Sequence, residues 1–361
     1  MNDAGPGMLD LIETWDGLGV VVRRDRPTGT WMFVALHDDT LGPPTGGCRM
    51  TTYDRPEDAL RDALRLAEGM TYKWAAMDFP FGGGKSVLAV PAPLEGEERR
   101  GLLRRFGELL NSLGGAYGTG EDLGTTPEDM KEIASVSKHV IGVHGRSEGP
   151  MDPGPFTALG VFEGMRAALR HRVATDDLSG RTVLVQGVGD VGEPLARMVH
   201  QAGGSPLLSD LDGPRASALA AELGGSVVEP REVYDTRCDV YAPCAVGATL
   251  SADSIPRLTC LVVAGSANNQ LETPEDAERL HARGIVYAPD FIVSGGGAMA
   301  FTSIHLGESR IEELERRVRS IGATIGEILV EAEGQAESPL AAAQRRVHRI
   351  LKRASARKSM S

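Results

Sequence analysis

The chain has 361 residues, enough for two domains with cores of their own. Its 38 basic and 50 acidic side chains leave a formal net charge of -12, which sets no positive field to draw nucleic acid. Its four cysteines, Cys48, Cys238, Cys244 and Cys260, form no CxxC pair and its histidines no HExxH motif, so neither a metal site nor a disulfide framework is expected. The sequence shows no apolar segment of signal length at its start and no run fit to cross a membrane; a reducing cytoplasm is the expected compartment.

Residues 1–7 read as disordered. The stretches 18–23 and 31–37 are apolar strand candidates, and Pro27 and Gly29 between them mark a hairpin turn. LGPPTGGCRM (41–50) is a shaped loop before a strand, in which Gly46 and Gly47 leave room for a ligand against bare backbone. Residues 56–71 read as a helix. Pro56, Glu57 and Asp58 suit its first turn, and Ala59, Ala63, Leu66 and Met70 recur at three- and four-residue steps. Lys73 is expected just past that helix. Lys85 follows in FGGGKSVLAV, at the head of a strand over 86–90, where three glycines are expected to bring a ligand beside the lysine. One lysine of such a pair would stay charged and hold a carboxylate, while the other, desolvated, would act as a base. Spacing alone equally allows two exposed surface lysines. Residues 99–113 read as a second amphipathic helix. Asp122 falls in the glycine-flanked loop GTGEDLGTT, where an active-site acid and a plain turn acid are equally compatible with the pattern. Thr126 and Asp129 approximate a capping box for a helix at 127–137. A glycine- and proline-rich hinge is expected at 141–155, then a helix over 156–169.

The most specific local pattern comes next. VLVQGVGDVGEPLARMVHQAGGSPLLSD runs as strand, glycine turn, helix, strand and acid, the order of a dinucleotide-binding unit. Gly187 permits the tight turn, Gly189 lets a pyrophosphate approach, and Gly192 lets the helix pack on the strand. The turn residues Asp190 and Val191 lead into the helix start, whose N–H groups favour phosphate. Asp210 suits the free ribose hydroxyls of NAD and would repel the extra phosphate of NADP. Strand candidates at 226–228, 238–241, 260–264 and 285–287 then alternate with helical stretches. Loops at their carboxyl ends, 242–245, 265–269 and 289–297, are expected to line the ligand crevice, Ala245 among them. Long amphipathic helices at 312–333 and 340–353 close the pattern.

With Lys73, Lys85 and Asp122 in place, the chain resembles the amino-acid dehydrogenases of the glutamate/leucine/phenylalanine/valine family, and within it the leucine and phenylalanine branch. The resemblance rests on LGPPTGGCRM, ALRLAEGMTYKWA, FGGGK, GEDLGTT, QGVGDVG, CDVYAPCAVGA, AGSANNQL and GIVYAPDFIVSGGG, in that order. It implies an α/β fold with two domains across a cleft. The first, 1–148 completed by a C-terminal helix at about 332–361, has a mixed sheet and serves substrate binding and oligomerisation. The second, 149–331, is a Rossmann-type NAD domain. It implies Lys73 on the substrate carboxylate, Lys85 as the water-activating base, Asp122 as the proton-exchanging acid, and Gly46 and Gly47 along the substrate. Thr157, Asn269 and Ser294 fall on the nicotinamide side, Asn269 near the substrate carboxylate as well.

The resemblance also implies NAD-dependent oxidative deamination of an L-amino acid, with its reverse, by a cytoplasmic homo-oligomer that is a dimer or larger. Thr45 stands where glutamate enzymes place a pocket lysine, and Gly120, Ala298 and Phe301 fall at pocket positions, so an apolar or aromatic substrate is expected. Two departures stand out: Ser294 replaces the family's asparagine before the glycines, and Gly154 replaces a serine between two prolines. These leave room for a specialised dehydrogenase of a secondary-metabolism amino acid, or for a nucleotide-binding paralogue without turnover.

Overall fold

The computed structural model describes residues 6–143, 152–308 and 310–358; the disorder expected over 1–7 and the hinge expected over 141–155 lie partly outside them. The chain divides into two compact units, Met1–Met151 with Arg349–Ser361, and Asp152–His348.

The first unit opens with α1 (Met8–Glu13), β1 (Gly19–Asp25) and β2 (Thr30–Asp38). β1 and β2 pair antiparallel from Gly19↔Leu36 to Asp25↔Thr30, as the turn residues predict. Asp25 closes that hairpin by accepting from the Thr28 N–H and hydroxyl at 3.2 and 2.7 Å. Next come β3 (Pro44–Thr51), α2 (Pro56–Ala76), β4 (Gly82–Ala89), α3 (Gly96–Ser112), β5 (Gly118–Glu121) and α4 (Pro127–Ala134). The strands form one mixed sheet in the order β1-β2-β4-β3-β5, with β3 parallel to both β4 and β5. Both faces are covered. Met32, Val34 and Leu88 pack toward Leu102, Phe106 and Leu110 of α3, while Phe33, Ala35 and Val87 pack toward Leu60, Ala63 and Ala67 of α2. The capping box forms as read: Thr126 Oγ1 accepts from the Asp129 N–H at 3.2 Å, and Asp129 from the Thr126 N–H at 2.8 Å.

Three local readings differ from the structure. The stretch 41–50 is not a loop before a strand: β3 begins at Pro44, so Gly46 and Gly47 lie buried within it, paired with β5. Helix α2 continues through Lys73 to Ala76, because Thr71, Trp74 and Ala75 extend its buried stripe and the Trp74 indole donates to the Thr45 carbonyl at 2.8 Å. The glycines before Lys85 are not a ligand shelf. They lie inside β4, fully buried, and make room for protein. A Cβ on Gly82 would stand 1.9 Å from the Asp38 carbonyl, one on Gly83 2.4 Å from the Thr71 nitrogen, and one on Gly84 2.8 Å from the Tyr117 ring. The strand therefore lies against α2, the end of β2 and Tyr117 more closely than side chains would allow.

The second unit holds α5 (Gly154–Val173), β6 (Thr182–Gln186), α6 (Gly192–Gln201), β7 (Ser205–Ser209), α7 (Gly213–Leu223), β8 (Ser226–Val227) and β9 (Val240–Pro243). It continues through β10 (Val262–Val263), α8 (Glu275–Ala282), β11 (Val286–Tyr287), α9 (Asp290–Val293), α10 (Gly296–His305), α11 (Ile311–Gln335) and the first half of α12 (Pro339–Lys358), whose residues from Arg349 onward count with the first unit. Its sheet is parallel throughout, in the order β11-β10-β9-β6-β7-β8. The order reverses between β6 and β9, the point at which doubly wound sheets receive a ligand. α11 lies along α5 where glycines remove side chains: a Cβ on Gly160 would meet the Ile321 side chain at 2.8 Å, and one on Gly322 the Glu163 carbonyl at 3.1 Å. Among the described residues, no helix is long and apolar enough to cross a membrane.

Candidate active site

Lys85 projects from the middle of β4 with its side chain 5 % exposed, and its Nζ stands 3.1 Å from Asp122 Oδ2. Asp122 follows β5 directly. Its N–H donates to Thr125 Oγ1 at 3.0 Å, and the Thr125 hydroxyl reaches the Cys48 carbonyl at 2.9 Å, which ties the loop to β3. The pair fits only because residue 47 has no side chain. A Cβ there would lie 2.7 Å from Asp122 Cβ and 3.1 Å from Lys85 Nζ. Gly120 pairs with Gly47 across β5 and β3, so it shares that face, and among the described residues only the Ile141 carbonyl, at 3.9 Å, lies near the space its Cβ would take. The structure thus gathers Lys85, Asp122, Gly47 and Gly120 on one face of the sheet.

Burial sets the electrostatics. It pushes the Lys85 ammonium below its usual range; Asp122 opposes that shift, and Arg49 adds to it. Burial also resists ionisation of Asp122, but Lys85 and Arg49 overcome it and hold the carboxyl at about 2. An amine inclined to be neutral therefore faces a carboxylate that stays charged, a combination suited to moving protons in a water-poor site.

Arg49 is the group that the sequence reading missed. Its Nε donates to Asp122 Oδ2 at 3.0 Å and its Nη1 to Asp62 Oδ2 at 2.8 Å. A signal was present, since Arg49 is the single charged residue in the strand segment PTGGCRMT, and a buried strand admits a charge only with partners. Tyr117 was also passed over. Its buried hydroxyl lies 3.2 and 3.3 Å from the carbonyls of Gly46 and Gly47 and fixes that glycine pair.

The remaining residues singled out in this unit sit as follows. Lys73 occupies the last turn of α2, half-buried. Gly46 admits no side chain, because a Cβ would stand 1.9 Å from the Gly84 carbonyl. Thr45 is buried, and its hydroxyl donates to the Pro43 carbonyl at 3.0 Å.

In the second unit the glycine turn joins β6 to α6. Gly187 has φ +91° and donates to the Ser209 carbonyl at 2.7 Å. A Cβ on Gly187 would lie 2.8 Å from that of Ala245, and one on Gly192 would lie 1.8 Å from the Gly187 carbonyl. Gly189 differs, with nothing within 4 Å of where its Cβ would stand. Asp190 is exposed, and Val191 caps the start of α6. Asp210 points its carboxylate back at the turn: Oδ2 accepts from the Val188 N–H at 2.7 Å and Oδ1 from the Asp212 N–H at 2.9 Å. Each oxygen keeps a further lone pair for a hydroxyl donor. An open glycine face, a helix start and a braced carboxylate fit a dinucleotide.

Thr157, in the first turn of α5, donates to the Pro153 carbonyl at 3.1 Å and accepts from the Gly297 N–H at 3.2 Å. Ser294 is buried at the end of α9, where its N–H donates to the Asp290 carbonyl at 2.9 Å. Asn269 holds a left-handed conformation, φ +52°, and its carbonyl accepts from the Ala248 N–H at 2.7 Å, which joins the loops after β9 and β10. Ala298 and Phe301, one turn apart on α10, are both half-buried. Gly154 has a physical reason: a Cβ there would come 2.3 Å from the Asp190 carbonyl, so α5 begins hard against the glycine turn.

Residues 22–139 match the family model of the Glu/Leu/Phe/Val dehydrogenase dimerisation domain, and residues 216–345 that of glutamate/leucine/phenylalanine/valine dehydrogenase. Leucine dehydrogenase of Bacillus cereus is 40 % identical over 322 residues, 89 % of this chain and 87 % of that protein. Phenylalanine dehydrogenase of Thermoactinomyces intermedius is 40 % identical over 295 residues, 80 % of each. Among solved structures, L-tryptophan dehydrogenase from Nostoc punctiforme superposes with a TM-score of 0.80 at 34 % identity, covering 96 % of this chain and 99 % of that one. The chain belongs to the glutamate/leucine/phenylalanine/valine dehydrogenase family, nucleotide-dependent oxidoreductases acting on a CH–NH2 group. Leucine, phenylalanine and tryptophan dehydrogenases as relatives favour neither a specialised dehydrogenase of a secondary-metabolism amino acid nor a paralogue without turnover.

Proposed function

We propose that this protein catalyses the NAD-dependent oxidative deamination of an apolar or aromatic L-amino acid to its 2-oxo acid and ammonia, together with the reverse reductive amination. The observation that carries the reading is the buried Lys85–Asp122 pair at 3.1 Å. NAD bound at the glycine turn supplies the acceptor for the hydride that leaves the substrate α-carbon. Lys73 binds the substrate carboxylate. Lys85, whose ammonium burial disfavours, takes a proton from water in its amine form as the water adds to the imine carbon. Asp122, in hydrogen-bond reach of Lys85, relays that proton to the carbinolamine nitrogen; as the C–N bond breaks and ammonia leaves, the hydroxyl proton passes to the Lys85 amine and the 2-oxo acid forms. The backbone of Gly46 and Gly47 lines the substrate site, while the Gly84 carbonyl and Asp122 fill the space their side chains would take. Thr157, Asn269 and Ser294 serve the nicotinamide side, with Ala245 beside the turn.

Several features support the substrate class. Thr45 offers no cation for a side-chain carboxylate, and space is open beside Gly120. Ala298 and Phe301 supply an apolar face, and the named relatives act on leucine, phenylalanine and tryptophan. Asp210 supports NAD over NADP. The match to a dimerisation domain over 22–139 supports a homo-oligomer, dimer or larger, assembled through the first unit. Four free cysteines suit a reducing cytoplasm.

Initial rates with leucine, phenylalanine, valine, tryptophan and glutamate, each with NAD and with NADP, test the reading. An apolar or aromatic substrate with NAD is expected to lead; glutamate leading would overturn the pocket assignment. Lys85→Ala is expected to abolish deamination while NAD still binds, and surviving turnover would refute the role of Lys85.

A further inference from the structure

Asp122 has a backbone anchor at Thr125, but Lys85 and Arg49 set the direction of its side chain. Both cations converge on the same oxygen, Oδ2, at 3.1 and 3.0 Å. Once Lys85 turns toward a reacting water, Arg49 is the partner that still holds the carboxylate. Arg49 is itself braced from outside. Its Nη1 donates to Asp62 Oδ2 at 2.8 Å, the Tyr53 hydroxyl donates to the same oxygen at 2.6 Å, and Arg65 donates to Oδ1 at 2.7 Å. Arg49 and Asp62 are each only 13 % exposed at the side chain. Tyr53 and Arg65 border an open cavity of about 390 Å³ at the surface end of the chain of contacts.

We propose that Arg49, braced by Asp62 and Tyr53, is a positioning residue for the reaction: it holds the Asp122 carboxylate on the Lys85 amine. The proposal rests on the reading of Lys85 and Asp122 as the reacting pair. A guanidinium suits the task because its planar fork reaches two carboxylates in one fixed geometry, which a lysine ammonium does not reproduce. It also places a permanent charge near Lys85. The charged groups acting on Lys85 are Asp122 beyond β5, Arg49 on β3 and Asp62 on α2; burial keeps the neighbouring Cys48 thiol and Tyr117 phenol neutral. Arg49 disfavours the ammonium, whereas Asp62 favours it. Charge removal at these two positions therefore moves Lys85 in opposite directions.

The test uses the full-length enzyme with NAD and its preferred amino acid, reading kcat, KM and the pH dependence of kcat/KM. Arg49→Lys keeps the charge and loses the fork: kcat should fall about 10²-fold while the KM for the amino acid changes little. Arg49→Gln should also move the ascending limb of the profile to higher pH by on the order of one unit. Asp62→Asn should move it to lower pH. Arg61→Ala, at an exposed residue of the same cavity paired with Asp58, should leave the profile unchanged. If Arg49→Gln does not fold, Arg49→Lys and Asp62→Asn carry the test. Unmoved limbs and kcat within about twofold of the parent in both, with Lys85→Ala inactive, would overturn the Arg49 assignment alone. Turnover surviving in Lys85→Ala would overturn both the assignment and the reading beneath it.

Discussion

The site of the first unit is made of charge held away from water, while the site of the second is made of backbone cleared of side chains. Lys85, Asp122 and Arg49 are groups whose ionisation depends on burial and on one another. The turn at Gly187, Gly189 and Gly192 acts through the room left by missing Cβ atoms and through the N–H groups of a helix start. The two kinds of site fail differently. An isosteric change of charge silences the first and leaves its shape, whereas a single methyl group deforms the second and leaves every charge in place.

Asp122→Asn is the strongest test of that contrast. The amide keeps the shape of the carboxylate and removes its charge. Turnover should fall about 10²–10⁴-fold, with NAD affinity unchanged. Lys85 would lose the anion that favours its ammonium, while burial and Arg49 continue to oppose that ammonium. The residual activity should therefore show its ascending pH limb at lower pH than the parent. A limb in the same place would mean that Lys85 is not the group whose deprotonation the profile reports.

A pair of methyl substitutions tests the other side. Gly192→Ala would put a Cβ 1.8 Å from the Gly187 carbonyl, so the turn must open. Overpacking of that kind costs about 1–3 kcal/mol, a few degrees in Tm, and cofactor binding should be lost with it. Gly189→Ala meets no atom within 4 Å. Its Tm should hold, and its affinity for NAD should still drop by about tenfold or more, because the methyl group occupies the approach of the pyrophosphate. Equal Tm losses in both variants, measured by thermal denaturation, would remove the distinction between a glycine that serves the fold and one that serves the ligand.

The same contrast explains what could be read from the sequence. The backbone site was legible because its demands are local: the turn, the helix start and Asp210 follow one another along the chain, and the structure joins them as expected. Lys85 and Asp122 could be picked out singly, but their burial and their 3.1 Å approach arise from the pairing of β3 with β4 and β5, which no spacing reveals. Arg49 was overlooked for the same reason, since Asp62 and Asp122 lie on two other segments. The glycines before Lys85 were legible as unusual but misassigned. Glycine permits close approach without saying what approaches, and here it is α2, Tyr117 and the Asp38 carbonyl.

Asp210 belongs to both kinds of site. Its carboxylate braces the glycine turn through the Val188 N–H and keeps lone pairs that the proposed cofactor would use. Asp210→Ala removes both contributions, and loss of hydrogen bonds to a charged group is worth about 1.5–3 kcal/mol. NAD affinity should therefore fall about tenfold to a hundredfold. NADP should lose less, because the same change removes a negative charge that opposes its extra phosphate. Titration of both cofactors into parent and variant reads the ratio directly. An unchanged ratio with both affinities reduced would mean that Asp210 serves only the turn, and cofactor choice would then have to come from another residue.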